Sequence, residues 1–163
     1  MYTKENFIKS FKNEVRVLKH LSIKIPAGVG DYRPSPSQRS TLELLQYLSG
    51  VGAATMKAVL TSDAKAYADY NDHRASVTLE NFAEKMDIQE KEMLDLFAQF
   101  KDEDFAKEFD FYGVRTKAEH LMEGVLKPFA AYRMQLFLYI KANGAHVSTM
   151  YVWAGMDTPP RQD

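Results

Sequence analysis

Apolar residues recur at helical spacing in four stretches of the chain, and the segments between them break the period. From Thr3 to Leu21, residues Phe7, Phe11, Val15 and Leu18 share one face, with the lysines and Glu14 mostly elsewhere. Ser22 to Gln38 holds Pro26, Gly28, Gly30, Pro34 and Pro36, which forbid a regular element. So long a connection is expected to wrap the surface or cover an opening. Ser40-Thr41-Leu42-Glu43 has the spacing of a capping box, which predicts a helix from Thr41 to about Leu60. Its inner stripe is Leu45, Leu48, Gly52, Met56 and Val59. Ser49 to Ala54 are small throughout, so a neighbouring helix should approach closely there, offsetting the cost of two helical glycines.

Residues 61–77 are polar and mixed, followed by a short helical turn around Leu79–Lys85. Asp87 is the expected cap of a third long helix carrying Met93, Leu94, Phe97 and Phe100. Thr116-Lys117-Ala118-Glu119 forms a second capping box. The last helix follows with Leu121, Met122, Val125, Phe129, Tyr132, Leu136, Tyr139 and Ile140 inward, and Asn143-Gly144 stops it. Pro128 must kink or break it near Gly124–Lys127. No period-2 run suggests a strand. The pattern predicts an all-α four-helix bundle, one domain over residues 1–163, with the Pro/Gly-rich segment as its first cross-connection.

Composition narrows the chemistry. A chain of 163 residues with 26% charged and 45% hydrophobic residues can bury a full core unaided. The net charge of −1 and the scattered Lys and Arg give no pull toward nucleic acid or anionic membranes. With no cysteine, disulfides, thiolate metal sites and thiol catalysis are excluded. No leader-like segment or long uncharged run is present, so a cytoplasmic protein is expected.

Four histidines, at 20, 73, 120 and 146, invite a metal reading. His120 and Glu123 stand i,i+3, but on an ideal helix they point nearly opposite the stripe Ala118–Leu121–Val125–Phe129, so a solvated face is expected. His73 lies in a polar loop, His20 near a helix end where a cation suits the dipole, and His146 beyond the final stop. The acidic run Lys101-Asp102-Glu103-Asp104 lacks the Gly-centred loop and distal Glu of a calcium hand, and reads as a capped helix junction. Nucleophile elbows, phosphate loops and dinucleotide fingerprints are absent from the sequence.

Three stretches carry a resemblance. Asp31-Tyr32-Arg33-Pro34-Ser35-Pro36 leads into Ser40-Thr41-Leu42-Glu43-Leu44-Leu45-Gln46-Tyr47-Leu48; Lys101-Asp102-Glu103-Asp104-Phe105 ends the third helix; and Thr116 opens a helix containing Tyr132-Arg133-Met134-Gln135-Leu136 and ending Tyr139-Ile140-Lys141-Ala142-Asn143-Gly144. Together they resemble the DinB-like superfamily, bacterial four-helix bundles that include damage-inducible proteins and thiol-dependent transferases. In typical members three histidines hold a divalent metal between the helices. Here the matching positions are Tyr47, Pro128 and Tyr132, while Arg133, Gln135 and Leu136 agree. The resemblance thus implies the fold and argues against the metal, so neither cofactor nor metal ligand is expected.

Tyr47 and Tyr132 either pack as core or line a cavity that binds a small molecule, with Arg133 and Trp153 as further polar handles. The expectation is a metal-free binding or interaction module. The rival is a metal-dependent hydrolase or thiol transferase, which would have to recruit ligands such as His120. Tyr151, Val152, Trp153 and Met156 form a tail too apolar for solvent, which must dock over the bundle mouth or at a homodimer interface.

Overall fold

A computed structural model describes residues 3–69 and 75–157. His73 lies outside them. The bundle is built from α1 (Lys4–Ser22), α2 (Thr41–Thr61), α3 (Phe82–Ala98) and a fourth rod made of α4 (Lys117–Leu121), a π-helical turn (Met122–Leu126) and α5 (Lys127–Ala142). A short α6 (Thr149–Ala154) follows. α1 and α2 each pack against both α3 and α5. They therefore occupy opposite corners, and the Pro/Gly-rich connection carries the chain diagonally across one end of the bundle. It is pinned to the start of α2, where the N–H groups of Thr41 and Leu42 donate to the carbonyls of Tyr32 (2.9 Å) and Gly30 (2.9 Å).

Both expected capping boxes are present. Ser40 Oγ accepts from the Glu43 N–H at 3.2 Å, and the Ser40 N–H donates to the Glu43 carboxylate at 2.7 Å. Thr116 and Glu119 make the same reciprocal pair, at 3.3 and 2.8 Å. Ser40→Ala and Thr116→Ala should each lower stability by about 0.5–2 kcal/mol, read from the denaturant midpoint. Unshifted midpoints in both would contradict this account of the two helix starts.

Pro128 acts where its chemistry requires. It has no N–H for the ladder, and just before it the Lys127 N–H reaches five residues back to the Met122 carbonyl. The expected close approach along α2 is also present. A Cβ on Gly52 would lie 2.8 Å from Phe129 Cζ and 3.0 Å from Gln89 Oε1, and one on Gly124 would lie 2.8 Å from Thr55 Cγ2.

Three expectations are corrected. α3 begins at Phe82, so the turn near Leu79 merges into it and Asp87 is an interior residue, ion-paired with Lys19 of α1. Asn81 stands at the cap position, with its side chain turned back to the Thr78 N–H (2.8 Å) and the Ser76 carbonyl (2.8 Å). A two-stranded antiparallel hairpin is present, β1 (Glu108–Asp110) with β2 (Val114–Thr116), where no strand was expected. At its tip Tyr112 and Gly113 both take positive φ, 58° and 114°. Finally, His120 is buried rather than solvated. Its Nε2 lies 2.8 Å from the Phe109 carbonyl, and the Phe109 and Phe111 rings lie edge-on to its ring, because the hairpin covers a flank that a bare bundle would leave open.

The acidic run forms the short 3-10 turn Asp102–Ala106, capped by the Asp104 carboxylate accepting from the Lys101 N–H at 2.8 Å. Among the described residues no helix is long and apolar enough to cross a membrane.

Candidate functional site

The fourth rod sits between α1 and α2, so successive residues on α5 face different partners. Tyr132 faces α2. Its ring meets Tyr47 edge-on, with centroids 5.1 Å apart. The start of α2 adds a cation: the Arg39 guanidinium carbon lies 4.2 Å from the Tyr47 ring centroid and 5.6 Å from that of Tyr132. Arg39 Nη1 also donates to the Tyr132 hydroxyl at 3.4 Å. Its main chain is tied to α5, since the Tyr139 hydroxyl donates to the Arg39 carbonyl at 2.9 Å.

All three side chains are half-buried, within reach of solvent at one edge. Burial pushes the Tyr47 phenol well above its ordinary range; the neighbouring Tyr67 and Tyr132 add to the shift, and Arg39 opposes it. Tyr47 is therefore a neutral hydroxyl at physiological pH. Tyr67, from the 3-10 turn Ala64–Asp69, continues the aromatic cluster to Phe111 of the hairpin tip, 5.7 Å away.

Arg133, one residue on, faces α1 instead. Its Nη1 lies 2.8 and 3.0 Å from the two carboxylate oxygens of Glu14, and both side chains are largely buried, at 7% and 14% exposure. Desolvation raises the Glu14 carboxyl above its ordinary value, with Arg133 opposing the shift. The Arg133 guanidinium carbon lies 5.5 Å from the Trp153 ring centroid. Trp153 belongs to α6, which folds back on its own bundle. Val152 is fully buried there, and Arg16 donates to the carbonyls of Ala154 (2.8 Å) and Gly155 (3.2 Å). Asp157 reaches Lys24 at 2.9 Å and His20 at 3.2 Å. The four residues expected at one site thus divide between two flanks, Tyr47 with Tyr132 and Arg133 with Trp153.

Sequence reasoning missed Arg39, Glu14 and Gln89. Gln89 is buried between α3 and α2, where its carbonyl accepts from the Gly52 (3.0 Å) and Ala53 (3.2 Å) N–H groups and its amide donates to the Leu48 carbonyl (2.8 Å). The glycine-bearing, small stretch of α2 was the only signal that something entered there.

The positions that the resemblance assigns to metal ligands do not suit a divalent cation. Pro128 has no donor atom, burial favours the neutral form of the Tyr47 phenol, and the Arg39 cation rests on both rings. Among the described residues no cluster of three or more His, Asp or Glu is arranged to hold a metal.

No protein-family model and no curated protein sequence matches the chain. A solved structure does: that of a DinB-like protein from Bacillus subtilis, YjoA, superimposes with a TM-score of 0.72 at 17% identity. The match covers 87% of this chain and 94% of that one. With the helices, the diagonal connection and this likeness together, the chain has the DinB-like fold.

Proposed function

We propose that the protein is a metal-free, DinB-like binding module of the bacterial cytoplasm that takes a small molecule at the Tyr47–Tyr132–Arg39 face. The observation that carries this reading is the guanidinium seated on two phenol rings where the resemblance would have three histidines around a cation. Positive charge and neutral phenols disfavour a metal and favour a ligand that accepts hydrogen bonds.

The rival, a metal-dependent hydrolase or thiol transferase, would need replacement ligands. His120 is the histidine that a rotated helix turn could supply, and its Nε2 is engaged 2.8 Å from the Phe109 carbonyl on the hairpin side. The test is thermal unfolding with one equivalent of Zn²⁺ or Ni²⁺. A specific site at 100 times its Kd would stabilise by about 2.7 kcal/mol, roughly 5–10 °C in Tm. No rise is expected, and a clear rise would overturn the reading.

A two-fold homodimer is part of the same proposal. Trp153 and Met156 remain 62% and 56% exposed beside Met150 at 44%, although the rest of the tail is docked. Light scattering at micromolar concentration should give the mass of two chains for the wild type and a smaller mass for Trp153→Ala. A single-chain mass for both would contradict it.

A further inference from the structure

We propose that Arg39 is the receptor for the carboxylate of a small organic acid, with the rings of Tyr47 and Tyr132 as the wall against which the acid's apolar body packs. The inference rests on the binding-module reading above and names its ligand class.

Fully buried charges are almost always paired; Arg39 is half-buried, keeps an edge toward solvent, and among the described residues no carboxylate stands within ion-pair distance of it. Its polar contact is the long 3.4 Å bond to the Tyr132 hydroxyl. The acid on the next helical turn, Glu43, is committed elsewhere, to Arg33 at 3.2 Å and to the Ser40 N–H at 2.7 Å.

The buried ion pair on the other flank shows the contrast. Arg133 is matched by Glu14 at 2.8 Å, so that guanidinium has its anion among the described residues and Arg39 does not.

Geometry then decides what Arg39 can accept. A guanidinium lying on aromatic faces has those faces covered, while its N–H groups project in the plane and stay free to bond. That edge is a planar fork, and a carboxylate matches it with two parallel hydrogen bonds. The fork is held in place at both ends. The rings of Tyr47 and Tyr132 fix the head, and the Tyr139 hydroxyl fixes the main chain at 2.9 Å, so little ordering entropy remains to be lost on binding. The Tyr132 hydroxyl sits beside the same edge and can turn its proton toward the anion. The phenol rings make a wall that suits a planar or aromatic acid better than a compact, strongly hydrated one.

Isothermal titration of the full chain with sodium benzoate, sodium acetate and inorganic phosphate tests this. Benzoate should bind one site per chain, and more tightly than acetate. Arg39→Gln should weaken benzoate by about tenfold or more. Arg39→Lys keeps the charge and stem but loses the fork, so it too should weaken benzoate about tenfold, and it serves should the Gln variant fail to fold. Failure of the wild type to bind benzoate, or unchanged binding in Arg39→Lys, overturns the proposal. Phosphate bound more tightly than benzoate overturns the carboxylate assignment in favour of a phosphate ligand. Absence of benzoate binding by a wild-type protein whose Tm is indifferent to metal sinks this inference alone; a metal-induced rise in Tm sinks the metal-free reading itself.

Discussion

Arg133→Met should lower stability by about 3–5 kcal/mol at neutral pH, because it strands Glu14 as an unpaired charge between α1 and α5. Both side chains are largely buried, so solvent screening does not rescue the carboxylate. The loss should be pH-dependent. Burial already holds the Glu14 carboxyl above its ordinary value with Arg133 present, and removing the cation raises it further. At about pH 5 a growing fraction of Glu14 in the variant takes up a proton, and the penalty should shrink. Equal losses at pH 5 and 7.5 would contradict a buried pair.

The partner substitution should behave differently. A carboxyl whose folded pKa is raised contributes stability that is full below its unfolded pKa and is lost as pH rises through the folded value. Glu14→Gln abolishes that titration, so its stability relative to wild type should improve from about pH 4 upward. Chemical denaturation across pH checks both signs in one series. The structural consequence is also specific: Arg133 lies beneath Trp153, so its removal should loosen α6 from the bundle.

Gln89→Leu should cost about 2–4 kcal/mol, the second large effect. The Gln89 amide packs against the backbone of α2, accepting from the Gly52 and Ala53 N–H groups and donating to the Leu48 carbonyl. Leucine keeps the volume but removes three buried hydrogen bonds, each worth about 0.5–1.5 kcal/mol net. The intrahelical bonds of α2 remain available to the same groups, which sets the upper bound below the sum. Faster hydrogen exchange at Gly52 and Ala53 should accompany the lowered denaturant midpoint. A Leu variant as stable as wild type would mean that the bonds to Gln89 add nothing to those the helix already makes.

Much of the frame was legible because it is written locally. A capping box is two side chains three residues apart, so Ser40 with Glu43 and Thr116 with Glu119 announced their helices without tertiary information. The irregular turn before Pro128 follows from one missing N–H. The small residues of α2 correctly implied a near neighbour. What they could not say was that the neighbour carries an amide, since a glutamine on a polar helix such as α3 reads as solvated.

The misreadings share a cause. His120 looked exposed because helical periodicity describes one rod in isolation, and the cover comes from a hairpin whose strands are three residues each. Strands that short carry no alternation to detect. The start of α3 was misplaced because Asp87 is a good cap by type, while the tertiary partner that uses its charge, Lys19, is distant in sequence. The candidate site was half legible. Tyr47 and Tyr132 were brought together by the resemblance, but Arg39 precedes the cap in a loop with no period, and only the folded chain lays it across the two rings. Likewise, nothing in the sequence separates Tyr132 from Arg133; one step along α5 turns the side chain from α2 to α1.

In the proposed reading a guanidinium and two neutral phenols stand where a divalent cation would otherwise sit. Elemental analysis of the protein purified without an affinity tag measures that directly, as moles of zinc, nickel, iron and manganese per mole of chain. Only traces of each are expected. Near-stoichiometric metal that survives dialysis, and is lost in Tyr132→Phe or Tyr47→Phe, would contradict that reading.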